Sequence, residues 1–416
     1  MKQLFCLAKI VVLLVCSSSS IPAGQPATPP IEALTLDQAL ALAERQHPEL
    51  AEAKALIDAA EGRVTQAGLF PNPEAIARME SAPLTGRTAR EAEYLAGVSQ
   101  PIPLGGRLGK GRQAEQLDRD RRIRELEVRR RNLQKRIRNA FATALYQTQA
   151  HQMQGKITTS LEKSVATTKA RVEAGDLWKE ELARAEMELL RAQVESKRSA
   201  AMHEQAMRAL KAAIGNPDLP VKSLAGTLEA AFELSALETF TANLSNSPEM
   251  LLAGAEVRWR EALLDLAKAE RVPELRVEAL YRRLEASKEN AIDIGVTIPI
   301  PLFDRGQGRM REARAELSAA EARARSTENA LNVRFQEMRD QFATALANSR
   351  ILRTEVLPRV DSVLKASEAR FEAGDISLAE LLPVRRDWAA VQLTYLESLR
   401  DVMQAWADLS AFLQKP

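Results

Sequence analysis

Groups able to ligate a metal or attack a substrate are scarce in this chain: three histidines, His47, His151 and His203, and two cysteines, Cys6 and Cys16. Zinc and related ions are held by His, Cys and carboxylate ligands, usually announced by pairs a few residues apart. The histidines stand far apart in sequence, so none falls at ligand spacing and no metal site is expected. No nucleophile elbow, phosphate loop or pair of carboxylates in a catalytic frame occurs either. The chain is therefore expected to be no enzyme and to carry no cofactor. Both thiols sit at the extreme N-terminus, which excludes a disulfide framework or a thiolate metal site further on.

What does recur is turn chemistry. Ala170-Arg171-Val172-Glu173-Ala174-Gly175-Asp176 returns as Ala369-Arg370-Phe371-Glu372-Ala373-Gly374-Asp375. Gly175 and Gly374 can enter the left-handed conformation that ends a helix, and Asp176 and Asp375 suit the positive start of a returning helix. Two helical hairpins follow, and the rest of the chain must position their turns.

The compartment is written at the N-terminus. Lys2 and Lys9 bracket a basic start, Ile10 to Val15 form a short apolar core, and Ser17 to Ser20 lead to Ala23, an export signal over 1–23 that is too short to span a bilayer. Leu13-Leu14-Val15-Cys16 partly matches a lipoprotein cleavage box, in which Cys16 becomes the acylated first residue and the signal shortens to 1–15. Val15 departs from the small residue usual before such a cysteine, and both readings stay open. A Pro-rich linker over 24–34 follows, and no later apolar run approaches the roughly 18 residues of a membrane helix. The 58 basic residues nearly balance 56 acidic ones, which leaves no field for nucleic acid. The one basic run, Arg129-Arg130-Arg131 with Lys135, Arg136 and Arg138, is expected to be a solvated helix face.

Compared with itself at an offset of about 200 residues, the chain repeats. His47-Pro48-Glu49 answers Ser247-Pro248-Glu249, Phe141-Ala142-Thr143-Ala144-Leu145 answers Phe342-Ala343-Thr344-Ala345-Leu346, and Gly97 to Leu104 answers Gly295 to Leu302. Ordered matches at one spacing make two copies of one unit: 35–214 with its turn near 171–181, and 235–416 with its turn near 370–380, joined by a linker over 215–234. Each copy opens with a capped short helix, Thr35 or Asp37 being the cap in the first, and a second helix starts near Pro48. A proline-free helix from near Arg107 to Glu173 would reach roughly 100 Å, and the chain returns as helix to about Ile214. Ile123, Leu126, Leu133, Ile137, Ala140 and Ala144 fall on alternating steps of three and four, with Arg130 interrupting the seam. A soluble coiled-coil scaffold would show the same pattern.

The strands separate the readings. Two are expected in each copy, at about 73–81 and 92–102 and at about 274–285 and 290–300. Leu275, Val277, Ala279 and Tyr281 alternate with Glu274, Arg276, Glu278 and Arg282, and Ile292, Ile294, Val296, Ile298 and Ile300 alternate with Asp293, Gly295 and Thr297. Such strands fit a half-buried soluble sheet or a barrel wall. An exported chain without a membrane helix favours the barrel. Four strands cannot seal their backbone in lipid alone, so several subunits must share one cylinder; two would give about eight strands and a filled interior, three about twelve and an open lumen. The expected state is the homotrimer.

Gly97-Val98-Ser99-Gln100-Pro101-Ile102-Pro103-Leu104-Gly105-Gly106-Arg107, the strand pair with long helix repeated twice, and the paired Glu-Ala-Gly-Asp turns resemble the TolC-type outer-membrane efflux factors. Leu69-Phe70-Pro71-Asn72-Pro73-Glu74 and Arg171 to Asp176 resemble more narrowly the CzcC-type subgroup of cobalt, zinc and cadmium efflux. The resemblance implies a mainly α protein with transmembrane β, three chains sharing a twelve-stranded barrel above an α-helical periplasmic tunnel in a Gram-negative outer membrane. It further implies a periplasmic membrane-fusion adaptor and an inner-membrane pump of the resistance-nodulation-division type as partners, with divalent heavy-metal cations as cargo, selected upstream. Adaptor contact is implied for Arg171, Ala174, Gly175, Arg370, Ala373 and Gly374. Glu181 and Glu380, with Asp176 and Asp375, occupy the positions of a periplasmic gate, where ordinary solvated helix acids are the alternative. A duct for drugs or secreted proteins is the rival within this class, and a periplasmic coiled-coil adaptor or scaffold the rival outside it.

Overall fold

The structure, a computed structural model, describes residues 31–81, 92–229 and 244–413. The export signal, Cys16 and most of the first linker lie outside the described residues.

Strand β1 (Ile31–Leu34) leads into α1 (Leu36–Gln46). Of the two cap candidates Thr35 serves: its hydroxyl accepts from Gln38 N–H at 3.2 Å while the Gln38 side chain accepts from Thr35 N–H at 3.1 Å, a capping box. Helix α2 (Pro48–Ala67) starts with proline, whose missing N–H would have no partner there, and His47 Nδ1 accepts from Glu49 N–H at 3.2 Å. His47 is thus a helix cap, and burial holds its imidazole below its ordinary pKa. Strands β2 (Glu74–Glu80) and β3 (Glu93–Ile102) precede α3 (Arg107–Glu173), a single helix of 67 residues, and α4 (Lys179–Ile214) returns alongside it. Strand β4 (Val221–Leu224) pairs in parallel with β1, so the stretch between the copies is fastened to the chain's first described residues.

The second copy repeats the order with α5 (Pro248–Ala269), capped by Ser247, then β5 (Leu275–Leu284) and β6 (Glu289–Thr297). Its long helix differs. Helix α6 (Gln307–Ile351) passes through a π-turn over Leu352–Val356 into α7 (Leu357–Ala373), and α8 (Leu378–Leu413) returns. The cause is Pro358, which has no N–H to give and whose ring crowds the carbonyl four residues back. The helix widens just before it, with Leu357 N–H reaching Leu352 O.

The four larger strands form one antiparallel sheet in the order β2-β3-β5-β6. Its register places Gly97 opposite Leu280, and a Cβ at Gly97 would come within 2.1 Å of the Ala279 carbonyl oxygen. Only glycine lets β3 approach β5 this closely. Gly97→Ala is expected to cost about 1–3 kcal/mol through forced separation of backbones, read as a lower melting temperature of the purified protein.

The main core joins the two copies. Leu133, Ile137, Phe141 and Ala144 of α3 pack with Leu34, Ala43, Leu210 and Tyr395. The seam expected from Ile123 onward therefore begins lower: Ile123 is exposed, because the first part of α3 lies against α2 and α5 through charged contacts. Asp118 is the centre of these, buried and bonded by Arg63 and Arg121, each at 2.6 Å. Burial pushes its carboxyl up, and the two guanidinium hydrogen bonds outweigh that and leave it below the usual range. The basic run is no solvated face. Arg129 pairs with Glu52 at 3.4 Å, Arg130 with Glu44 at 2.8 Å, Lys135 with Asp408 at 3.0 Å and Arg136 with Glu49 at 2.5 Å, which ties α3 to α2, α1 and α8.

Candidate functional site

The two helical turns carry the same device. Gly175 has φ 84° and Gly374 φ 83°; Asp176 N–H reaches Arg171 O at 2.9 Å and Asp375 N–H reaches Arg370 O at 2.8 Å, which satisfies the last carbonyls of α3 and α7. Nothing lies within 4 Å of a Cβ built on either glycine, so both turns stand clear of the body. Ala174, Asp176, Ala373 and Asp375 are exposed beside them, with Arg370 on the last turn of α7.

Fold brings these turns together although about 200 residues separate them. The Arg171 guanidinium sits over the Phe371 ring at 5.8 Å, and Leu161, Ala185 and Ala192 of the first hairpin pack against Leu378, Leu381 and Leu382 of the second. Two arginines that sequence reasoning missed reinforce the contact. Arg385 of α8 donates to Glu368 of α7 at 2.9 and 3.2 Å and to the Ser164 hydroxyl of α3 at 2.5 Å, and Arg386 faces Glu188 of α4 at 3.6 Å. The expected gate acids are not equivalent. Glu181 is half-buried, 3.7 Å from Arg184, with its second carboxylate oxygen buried and unbonded, whereas Glu380 is exposed. Between the hairpins runs a groove of about 790 Å³ lined by Ile157, Leu190, Val194, Leu382, Arg385 and Trp388 among others.

At the other end lies the sheet. Pairings Ile292↔Tyr281, Tyr281↔Ala96 and Ala96↔Ala77 set one face, and with Met79, Val98, Ala279, Ile294 and Val296 that face is apolar. Ile292 and Ile294 are 76% and 78% exposed in the single chain. The opposite face is a charged ladder: Arg282 bonds Glu93, meets Asp293 at 2.6 Å and Glu80 at 3.8 Å, and Arg276 meets Glu74 at 2.5 Å. Strands β2 and β6 form its two edges, each without a partner on its outer side among the described residues. A sheet with a bare apolar face, a wet charged face and open edges is half-finished: in lipid it needs closure by other strands. No helix among the described residues is long and apolar enough to cross a membrane.

Residues 39–216 and 241–413 match the model of outer membrane efflux proteins. The chain belongs to the outer membrane efflux protein family. It is similar to the cobalt-zinc-cadmium resistance protein CzcC of Cupriavidus metallidurans, 26% identical over 380 residues that cover 91% of this chain and 90% of that one. It is also similar to the nickel and cobalt resistance protein CnrC of the same organism, 29% identical over 339 residues, 74% of this chain and 73% of that one. The fold is that of the Campylobacter jejuni CmeC outer membrane channel, with TM-score 0.79 at 15% identity over 91% of this chain and 85% of that one. In this outer membrane efflux protein the sheet is accordingly the membrane part and the helical hairpins are the periplasmic part.

Of the three histidines, His151 on α3 and His203 on α4 meet across the first hairpin, which the sequence spacing gave no reason to expect. Among the described residues no group of three or more His, Cys, Asp or Glu gathers as a metal site.

Proposed function

We propose that three copies of this chain share one barrel of about twelve strands and a continuous helical tunnel, and that the assembly exports divalent heavy-metal cations. The single observation that carries the channel reading is the four-stranded sheet with one bare apolar face, one charged face and two open edges. Cargo is argued from similarity to CzcC and CnrC, whose names assign them to cobalt, zinc, cadmium and nickel resistance.

In this reading the charged ladder lines the lumen, and β6 of one copy pairs with β2 of the next. A periplasmic adaptor, carried by an inner-membrane pump of the resistance-nodulation-division type, engages the exposed turns at Arg171, Ala174, Gly175, Arg370, Ala373 and Gly374. Glu181 and Glu380, with Asp176 and Asp375, place acids near the closing end of the tunnel, where repeated copies favour cations over anions. A strain lacking this chain is expected to become sensitive to cobalt, zinc or cadmium and to recover with the plasmid-borne gene. Sensitivity to antibiotics with unchanged metal tolerance would move the cargo to the drug class.

Glu380 is exposed and lacks a partner among the ion pairs described, so its charge is available to passing ions, whereas that of Glu181 is partly answered by Arg184. Glu380→Ala is therefore expected to reduce cation block and shift cation preference more than Glu181→Ala in single-channel recordings. Unchanged recordings would remove both acids from the gate.

A further inference from the structure

Two glycines hold matching places in the repeat, and only Gly97 has a reason to be glycine among the described residues. A Cβ there would strike the Ala279 carbonyl oxygen, whereas a Cβ at Gly295 in β6 would meet nothing nearer than Glu278 Cβ at 3.9 Å. The residues that follow each glycine show the same contrast. Gln100 and Ile102 pair with Val277 and Leu275 of β5. Their counterparts Ile298 and Ile300 run past the last β5 pairing, Thr297 with Arg276, and are 50% and 77% exposed. The outer edge of β6 thus carries the sequence of a paired strand without the strand that would pair it.

We propose that β2 of a second copy fills this edge in a single register, with Gly295 opposite Arg78 of the next copy; the register rests on the shared-barrel reading and fixes what that reading leaves open. Strand β5 is to β6 what β2 is to β3, since Arg276 pairs with Thr297 as Glu74 pairs with Ser99. Carrying the β3–β5 pairing across the repeat places Val296 opposite Ala77, Ile298 opposite Ala75 and Ile300 opposite Pro73 of the next copy. Apolar residues then meet apolar ones, and Arg78 of the next copy, facing a residue with no side chain, has room to lean toward Asp293. Closure of the cylinder gives an independent check. From Val296 to Ala77 of the next copy, then through the pairs Ala77↔Ala96, Ala96↔Tyr281 and Tyr281↔Ile292, a walk round the wall returns to β6 at Ile292, four residues from its start. Three copies make a stagger of about twelve residues over about twelve strands. One residue of rise, about 3.4 Å, for each strand spacing of about 4.8 Å tilts the strands by roughly 35°, inside the roughly 35–45° of closed barrels. A slide of one residue would turn every side chain to the wrong face. A slide of two, in either direction, gives a tilt of roughly 20° or roughly 47°, outside that range.

Paired cysteines in the full-length protein, oxidised in the outer membrane, test the register. Ile76→Cys with Thr297→Cys in one chain puts the two thiols on opposite edges of the sheet, so their disulfide can form only between copies and appears as covalent trimer on denaturing gels. Val296→Cys with Ala77→Cys, the neighbouring pair, covers the alternation of near and far pairs along an antiparallel ladder. One or both are expected to trap covalent trimer at least about tenfold more than Glu74→Cys or Arg78→Cys combined with Thr297→Cys, whose Cβ atoms would lie about 7–8 Å apart, too far for a disulfide. Gly295→Val is expected to cut native trimer by about tenfold or more, because its side chain meets the backbone of the next copy, while helical circular dichroism stays unchanged. Native trimer unchanged in that variant overturns the close approach at Gly295. Trapping through Glu74 or Arg78 instead overturns the register and leaves the shared barrel standing. No trapping by any pair, in chains that fractionate with the membrane, overturns register and shared barrel together.

Discussion

Replacing Ile294 with arginine is expected to abolish assembly in the outer membrane while Thr297→Glu, on the opposite face, is tolerated. Ile294 sits mid-strand in β6 beside Ala279 and Val98 on the apolar face, whereas Thr297 lies opposite Arg276 on the charged one. An arginine facing lipid at the bilayer midplane costs roughly 2–4 kcal/mol per strand, and three copies raise that to roughly 6–12 kcal/mol per assembly. Every 1.4 kcal/mol is about a factor of ten in an equilibrium, so the insertion loss spans several orders of magnitude. Membrane fractionation and heat-modifiable mobility on gels measure it. Equal insertion of both variants would mean that the sheet does not face lipid, and the barrel reading would fall.

The second large effect is expected at Arg385. Its guanidinium joins three helices, α8, α7 and α3, through Glu368 and Ser164. Arg385→Ala leaves Glu368 without that partner and cuts the tie from the second hairpin to the first; hydrogen bonds to charged groups contribute about 1.5–3 kcal/mol each. If that tie favours the packed tips, its loss raises the open fraction by about tenfold or more per 1.4 kcal/mol, seen as more frequent openings in planar bilayers without adaptor. Arg385→Lys is expected to restore only part of the closure, since a point charge cannot make the forked contact. Conductance unchanged in Arg385→Ala, with a lowered melting temperature, would make the residue a strut of the fold and no part of the gate.

How much of this was legible in the sequence depended on the range of the forces involved. Thr35, Pro48, Gly175 and Gly374 act on their own backbone neighbours, and their types state their roles. The strand alternation at Ile292, Ile294 and Val296 was equally plain, because the face of a strand is set by parity alone. Ile123 misled because its heptad position promises a partner, while the facing surfaces of α2 and α5 carry charge instead. Arg129, Arg130 and Arg136 looked solvated because their acids, Glu52, Glu44 and Glu49, come from other helices. Arg385 and Ser164, 221 residues apart, and the facing His151 and His203 left no local signal. Their meeting depends on how the hairpins align, which is fixed by tertiary packing.

The π-turn ahead of Pro358 gives the two hairpins unequal stiffness. Helix α3 runs unbroken for 67 residues, while its counterpart gives up regular bonding at Leu352–Val356. Bending load applied near Gly374 concentrates at that widened turn, where fewer well-aligned bonds resist it. The first hairpin is thus the stiffer of the two, and any load carried by both turns together is taken up as bend in the second.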